Sequence, residues 1–313
     1  MSPRMADRTR DGLVRLAAFA WLEAQVDRVG DIVLSRATLA QGFEFEGVRV
    51  PLVGPQGIFK PRVLESAPLS ITTAPDGPYD DSFGPGGLLR YRYRGTDPGH
   101  ADNRGLRLAM RERLPLAYFI GIVPGKYLAT WPAYVVGDDP AQLAFTVAID
   151  DAAHAALSAA GHDPMVHEEA GSGRRRYVTA VVRKRLHQRA FRERVLDAYR
   201  RQCAFCRLRH DELLDAAHID SDSAPEGAPV VSNGLALCKL HHAAFERHLV
   251  GVRPDLVLQV RPDIRLEKDG PTLVHSIQAL HDVRVVPPRK EALRPSPERL
   301  ARRFERFLEA KPA

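Results

Sequence analysis

The chain has 313 residues and a formal net charge of +6, with 44% hydrophobic and 27% charged residues. At roughly 100–200 residues per domain, this length predicts about two domains. The composition excludes a chain that is disordered throughout and a collagen-like fibre. The apolar stretch 13–25 contains Arg15 and Glu23, so it is too short and too charged to span a bilayer. No signal peptide is recognised, and we expect a soluble, cytoplasmic protein.

The first half of the chain predicts one helix followed by many strands. About the first 30 residues have apolar positions at helical spacings of three and four, namely Leu13, Leu16, Ala17, Ala20 and Ala24. From Ile32 to about Val136, short apolar runs at 48–53, 88–93 and 117–123 alternate with Gly and Pro. That pattern predicts a β-rich barrel or sandwich. A helix is expected over 151–160.

The second half begins with a polar, Gly- and Ser-containing stretch at 162–176, which predicts a linker. A basic amphipathic helix is expected at 183–199, with five apolar residues facing inward: Val182, Leu186, Phe191, Val195 and Leu196. Residues 171–209 contain thirteen Lys or Arg and two acids, a basic surface suited to phosphates. A final helix is predicted at 297–308.

The three cysteines of the chain predict a metal site. An odd count excludes a fully paired disulfide framework. Cys203 and Cys206 are separated by two residues, and so are Cys238 and His241, so each pair offers two ligands from one tight turn. Together they predict a closed tetrahedral Zn²⁺ site. Because such a site has no open position for substrate, we expect the zinc to be structural.

Between and after the two ligand pairs lie three further polar residues: His218 in the run 214–219, Asn233 in the run 231–238, and His242. Over about 200–250 this series resembles the HNH, or ββα-metal, endonuclease family. The resemblance implies that His218 is the general base, that Asn233 holds the loop of the base, and that His242 binds a catalytic Mg²⁺ or Mn²⁺. The position before the base, where many members have an acid or a histidine, is Ala217. The candidates for a second ligand are Asp215, Asp220, Glu246 and His248.

The front half resembles the SRA domain over about 35–145. The resemblance rests on four segments: 78–81, 86–95, 102–104 and 124–132. It implies a pocket for a modified cytosine flipped out of the duplex. Tyr79 and Tyr93 are then the stacking pair, and Asp81, or Asp80, accepts a hydrogen bond from the cytosine amino group. The alternative is that Tyr91 and Tyr93, which share one face of a strand, are core residues.

These observations predict an α+β protein in three parts. An SRA/PUA-like barrel at 1–162 and a linker at 163–182 precede a zinc-stapled ββα-metal (HNH) nuclease domain with a helical extension at 183–313. The arrangement resembles modification-dependent restriction enzymes of the TagI type. It implies cleavage of double-stranded DNA near 5-methyl- or 5-hydroxymethylcytosine, by a homodimer because two strands are cut. One alternative is a non-catalytic, zinc-stapled DNA-binding protein that reads modified bases. Another is a nuclease whose front domain reads a different modified base or unmodified DNA.

Overall fold

The structure, a computed structural model, describes residues 3–75, 88–149, 187–221, 227–268 and 270–310. The chain divides into two compact units, Met1–Leu186 and His187–Ala313. Both contain helices and strands, which confirms the α+β class. In the part of the chain that is described, no helix is long and apolar enough to cross a membrane. The predicted helix 151–160 and linker 163–182 lie outside the described residues.

The first unit contains three described helices and nine strands. The helices are α1 (Pro3–Val29), α2 (Arg36–Gln41) and α3 (Ala101–Arg111). The strands are β1 (Val33–Ser35), β2 (Phe43–Phe45), β3 (Val48–Val50), β4 (Ile58–Phe59), β5 (Ser70–Thr72), β6 (Leu89–Arg92), β7 (Leu116–Val123), β8 (Lys126–Asp139) and β9 (Ala144–Ile149). The three apolar runs singled out in the sequence therefore all contain strands.

Seven strands form one curled sheet in the order β4-β5-β7-β8-β9-β6, with β1 also paired to β8. Only β5 and β7 are parallel within this sheet; its other described pairs are antiparallel. The curl brings Tyr91 of β6 to the opposite end of the sheet, where its hydroxyl donates to the carbonyl of Thr72 at 3.3 Å. A Cβ on Gly57 would lie 2.8 Å from that hydroxyl, so a side chain at position 57 would displace the hydroxyl. The mixed fold with a curled sheet is confirmed, while the SRA barrel stays a prediction.

Helix α1 has the predicted length but buries a different face from the predicted one. The side chains of Leu13 and Leu16 are 51% and 65% exposed. The buried apolar positions recur every four residues instead, at Val14, Ala18, Leu22 and Val26. Arg15 is also buried, and its guanidinium donates to the carbonyls of Pro68 at 2.9 Å and Pro115 at 2.8 Å. Those hydrogen bonds stabilise the rotation of α1 that turns Leu13 and Leu16 to solvent.

The second unit is described by five helices and two strand pairs. The helices are α4 (187–198), α5 (Lys239–Glu246), α6 (Pro262–Leu266), α7 (Pro271–Ser276) and α8 (Pro297–Glu309). The strands are β10 (Leu214–His218), β11 (Gly234–Cys238), β12 (Val250–Val252) and β13 (Leu258–Val260). Strands β10 and β11 pair antiparallel, and α5 follows β11 directly. This ββα order is the one implied by the HNH resemblance.

Helix α4 packs over the β10–β11 pair. Its residues Phe191, Val195 and Leu196 are buried, as predicted, while Val182 and Leu186 lie outside the described residues. A Cβ on Gly234 would lie 2.5 Å from Val195 and 2.9 Å from the ring of Phe191. The side chains of α4 therefore fill the space left by the missing side chain at the start of β11. This contact brings α4 next to His218, the residue that pairs with Gly234.

Candidate active site and zinc centre

The four predicted zinc ligands lie together. The ligand atoms of Cys203, Cys206, Cys238 and His241 are all within 4.8 Å of one another. Nδ1 of His241 is 3.4 Å from Sγ of Cys203 and 3.3 Å from Sγ of Cys238. Around a tetrahedral zinc with ordinary bond lengths, sulfur and nitrogen ligands are about 3.5 Å apart. The donor set and its spacing therefore fit a structural Zn²⁺.

The surroundings of His241 also suit a metal ligand. Its Nε2 donates to the carbonyl oxygen of Ser276 at 2.7 Å, which leaves Nδ1 as the acceptor nitrogen that faces the thiols. Such a hydrogen bond on the far ring nitrogen is the usual means of orienting a metal-binding histidine. The amide of Ala204 donates to the carbonyl of Ala236 at 2.7 Å, which ties the first cysteine pair to β11. The cluster therefore joins the 203–206 turn to the β11–α5 junction.

His218, the predicted base, is the last residue of β10. It is half-buried, and its ring stacks on the ring of Phe191 with the centroids 4.0 Å apart and the planes at 14°. Phe191 reaches this position because Gly234, opposite His218, has no side chain. The stacking restricts rotation of the imidazole, so the direction of its nitrogens is defined before any substrate binds.

Asn233 holds the segment that follows His218. It is fully buried, and its Oδ1 accepts from the amide of Asp220 at 2.9 Å. Its Nδ2 donates to the carbonyls of Asp220 and Ala228, both at 3.1 Å. The carbonyl of Asn233 accepts from the amide of Ile219 at 2.9 Å. One side chain thus connects the residues on both sides of 222–226, which lie outside the described residues.

His242 meets Asp215, one of the four candidates for the second metal ligand. Nδ1 of His242 is 3.3 Å from Oδ2 of Asp215, and both side chains are partly exposed. This hydrogen bond raises the pKa of His242 above its ordinary value, while burial acts against the rise. Asp215 is also 3.6 Å from the guanidinium of Arg192 on α4. An imidazole nitrogen and a carboxylate oxygen are therefore adjacent at the surface, as ligands of one divalent cation would be.

Glu246, His248 and Asp220 have surroundings that differ from those of Asp215. Glu246 lies one turn after His242, and its carboxylate is 3.5 Å from Arg303. Burial, followed by the nearby Arg303, lowers the pKa of His248. Asp220 is buried and paired with three arginines, so its carboxylate is not available to a cation. Ala217, the residue before the base, is fully buried.

In the first unit, Tyr79, Asp80 and Asp81 lie outside the described residues. Tyr93 is buried, with its ring centroid 4.6 Å from that of Phe145 and the guanidinium of Arg107 5.3 Å from the ring. Its hydroxyl donates to Asp138 and accepts from Arg107. Much of the ring of Tyr93 is therefore covered by protein. If Tyr93 stacks on a base, only the part of its ring that lines the neighbouring cavity is available for the contact.

That cavity has a volume of about 350 Å³ and lies between β4 and β6. Seven residues line it: Gln56, Gly57, Ile58, Tyr91, Arg92, Tyr93 and Arg94. Arg94, which lines the cavity, pairs with Asp102 at 2.5 Å, and Arg107, which contacts Tyr93, pairs with Asp138 at 2.6 Å. The cavity is thus bordered by aromatic and cationic residues of the segment that the SRA resemblance singled out.

Two features of the second unit were missed in the sequence. The stacking of Phe191 on His218 joins residues 27 positions apart, and no local pattern marks it. The arginines that surround Asp220 lie 79 to 86 residues beyond it. Their spacing at 299, 302 and 306 is visible in the sequence as one helical face, but their target is not.

Comparison with known proteins gives a family match over part of the chain. Residues 203–253 match the model of the HNH endonuclease family. Among solved structures, a "Modification dependent TagI restriction endonuclease" is 15% identical, with 77% of this chain and 82% of that chain covered and a TM-score of 0.27. The "Type IV phosphorothioation-dependent restriction endonuclease ScoMcrA" is 14% identical, with 76% and 57% covered and a TM-score of 0.20. No curated protein matches. The family match spans the Cys3His group, His218, Asn233 and His242, and it identifies residues 203–253 as an HNH endonuclease domain.

Proposed function

We propose that this chain is a metal-dependent DNA endonuclease that hydrolyses phosphodiester bonds with His218 as its general base. The observation that supports this most strongly is the HNH family match over a ββα unit. In that unit His218 ends the first strand, Asn233 precedes the second, and His242 lies on the helix. This order of the three residues along the ββα unit supports the role proposed for each.

The proposed reaction begins with a proton transfer to His218. A neutral imidazole accepts a proton from water near pH 7, and the water oxygen then bonds to phosphorus. The bond from phosphorus to the 3′ oxygen breaks, and this leaving oxygen takes a proton from solvent. Phe191 keeps the imidazole plane fixed, and Asn233 holds the backbone that follows the base.

Asp215 and His242 are proposed to hold one Mg²⁺ or Mn²⁺, with Glu246 as a further candidate ligand. When bound, such a cation neutralises charge on the phosphate and stabilises the leaving oxygen. The Cys3His group is proposed to hold Zn²⁺ with four protein ligands, which leaves no position for substrate. The two ions therefore have separate tasks, and His241 and His242 belong to different sites.

The first unit is proposed to read modified cytosine. The support is the cavity of about 350 Å³, whose lining includes Tyr91 and the uncovered part of the Tyr93 ring. A flipped base needs aromatic partners to replace its lost stacking. Tyr79 and Asp81 are proposed to complete this pocket, with Asp81 accepting from the base amino group. A homodimer is proposed because cleavage of both strands needs two active sites.

The test is cleavage of one supercoiled plasmid prepared in three forms: unmodified, with 5-methylcytosine and with 5-hydroxymethylcytosine. With Mg²⁺ or Mn²⁺ we expect nicked or linear product only from a modified form. His218→Ala is expected to slow cleavage by ~10²- to 10⁴-fold, the usual contribution of a general base. The control is His210→Ala, which removes an exposed histidine of the same unit. Zinc content is expected to stay the same in both variants.

Two results would change the proposal. DNA binding without cleavage of any plasmid would favour the non-catalytic, zinc-stapled reader of modified bases. Equal cleavage of all three plasmids would leave the nuclease in place and remove modified cytosine from its specificity.

A further inference from the structure

Three arginines of helix α8 meet at one buried carboxylate of the second unit. Arg299 and Arg302 contact Oδ2 of Asp220 at 3.1 and 2.5 Å, and Arg306 contacts Oδ1 at 3.1 Å. Three guanidinium groups from one face of α8 therefore gather at one side chain.

The carboxylate that the arginines contact belongs to a residue close to the candidate base in the chain. Asp220 is two residues after His218, a separation of at most about 7 Å along the backbone. Both the amide and the carbonyl of Asp220 are bound by the side chain of Asn233. Helix α8 is thus attached to the segment that Asn233 orders behind the base.

The packing of α8 turns two of these arginines outward. Leu300 and Phe307 are buried, and Arg303 points into the protein, where it donates to the carbonyl of Phe245 at 3.1 Å. The side chains of Arg302 and Arg306 remain 46% and 43% exposed although they contact Asp220. A guanidinium has several N–H donors in a planar fork, so it can contact Asp220 and an anion from solvent together.

We infer that Arg302 and Arg306 form a phosphate-binding surface that contacts the DNA backbone beside the bond being cut. The inference rests on the proposed function and adds a surface to it that lies outside the family match at 203–253. Backbone phosphates are the partner because they are the anions that a nuclease substrate brings close to the general base. Each guanidinium can donate two parallel hydrogen bonds to the oxygens of one phosphate, and this contact does not depend on the base sequence.

The test is the double variant Arg302→Gln/Arg306→Gln in the full chain. Arg299 is kept so that the buried Asp220 still has a partner, since an unpaired buried charge would unfold the site. The control is Arg265→Gln/Lys268→Gln, which removes the same charge from exposed positions elsewhere in the unit. The affinity for a labelled duplex of about 30 base pairs is measured by fluorescence anisotropy from about 50 to 200 mM salt, without added divalent cation.

Each phosphate contact contributes about 0.9 to the slope of log affinity against log salt. We expect the slope of the double variant to be about 2 smaller in magnitude than that of the wild type, and the control slope to be unchanged. An unchanged slope in the double variant, or an equal change in the control, would overturn the inference. If the wild type still cuts DNA in that case, the proposed function stands; if the wild type neither binds nor cuts DNA, both fail.

Discussion

Asn233→Ala removes the side chain that holds the loop behind His218. The side chain makes three hydrogen bonds to backbone groups and is fully buried, so water cannot replace them. At about 1 kcal/mol net per bond, and more where a buried group is left unpaired, we expect unit 2 to lose about 3 kcal/mol of unfolding free energy.

Unfolding of the two units can be followed by separate signals. Both tryptophans, Trp21 and Trp131, belong to the first unit, so tryptophan fluorescence follows only that unit. The second unit is followed by release of zinc to a coloured chelator during urea unfolding. In Asn233→Ala we expect the zinc-release midpoint to fall while the fluorescence midpoint stays constant.

Asn103→Ala is the matched control. Asn103 is also fully buried, and it makes three hydrogen bonds to the backbone of Arg94 and Asp97 in the first unit. Its loss is expected to lower the fluorescence midpoint and leave zinc release unchanged. A zinc-release midpoint in Asn233→Ala equal to that of the wild type would show that Asn233 does not hold the segment that follows His218.

Asn233→Asp is a near-isosteric change at the same position. In Asn233→Asp, the oxygen that replaces Nδ2 would face the carbonyls of Asp220 and Ala228. Because it has no proton to donate and repels both oxygens, Asn233→Asp is expected to be at least as destabilising as Asn233→Ala. A smaller loss in Asn233→Asp would mean that Nδ2 does not donate to these carbonyls.

Three other substitutions test separate contacts. Cys203→Ser removes one of four ligands, and we expect less than one zinc per chain and an earlier unfolding of unit 2; a full zinc complement in this variant would contradict the Cys3His site. Gly234→Ala places a Cβ 2.5 Å from a side chain of α4, and we expect it to lower the unfolding free energy of the second unit, followed by zinc release, by about 1–3 kcal/mol. Gly12→Ala has open space around its Cβ and is expected to cause no measurable loss of unfolding free energy. Arg15→Met leaves buried carbonyls without their donor, and we expect it to lower the unfolding free energy of the first unit, followed by tryptophan fluorescence, by about 2–4 kcal/mol. The control Arg10→Met, at an exposed position, is expected to lower it by under about 1 kcal/mol. Equal losses in the two variants would show that burial of the guanidinium is not the cause.

Local patterns in the sequence predicted much of the candidate site. The spacing of Cys203 from Cys206 and of Cys238 from His241 places each pair on one turn, whatever the rest of the chain does. Regular spacing likewise predicted the extents of α1 and α8, since hydrogen bonding and amphipathicity within a helix are local properties. The modified-base pocket depends on Tyr79 and Asp81 and stays a prediction.

Contacts between distant segments could not be obtained in this way. Sequence spacing predicted that Leu13 and Leu16 of α1 face the core, but the structure buries the face that carries Arg15. The guanidinium of Arg15 donates to carbonyls 53 and 100 residues away, which local spacing does not reveal. Of the acids proposed as metal ligands, Asp215 contacts His242, and it does so because β10 pairs with β11 and α5 follows β11. Asp220 meets the arginines of α8 instead. The amino-acid sequence by itself therefore determined the residue types and their local spacing, because these follow from turn and helix geometry. The tertiary structure alone decided which charges meet, because that depends on how separate elements pack.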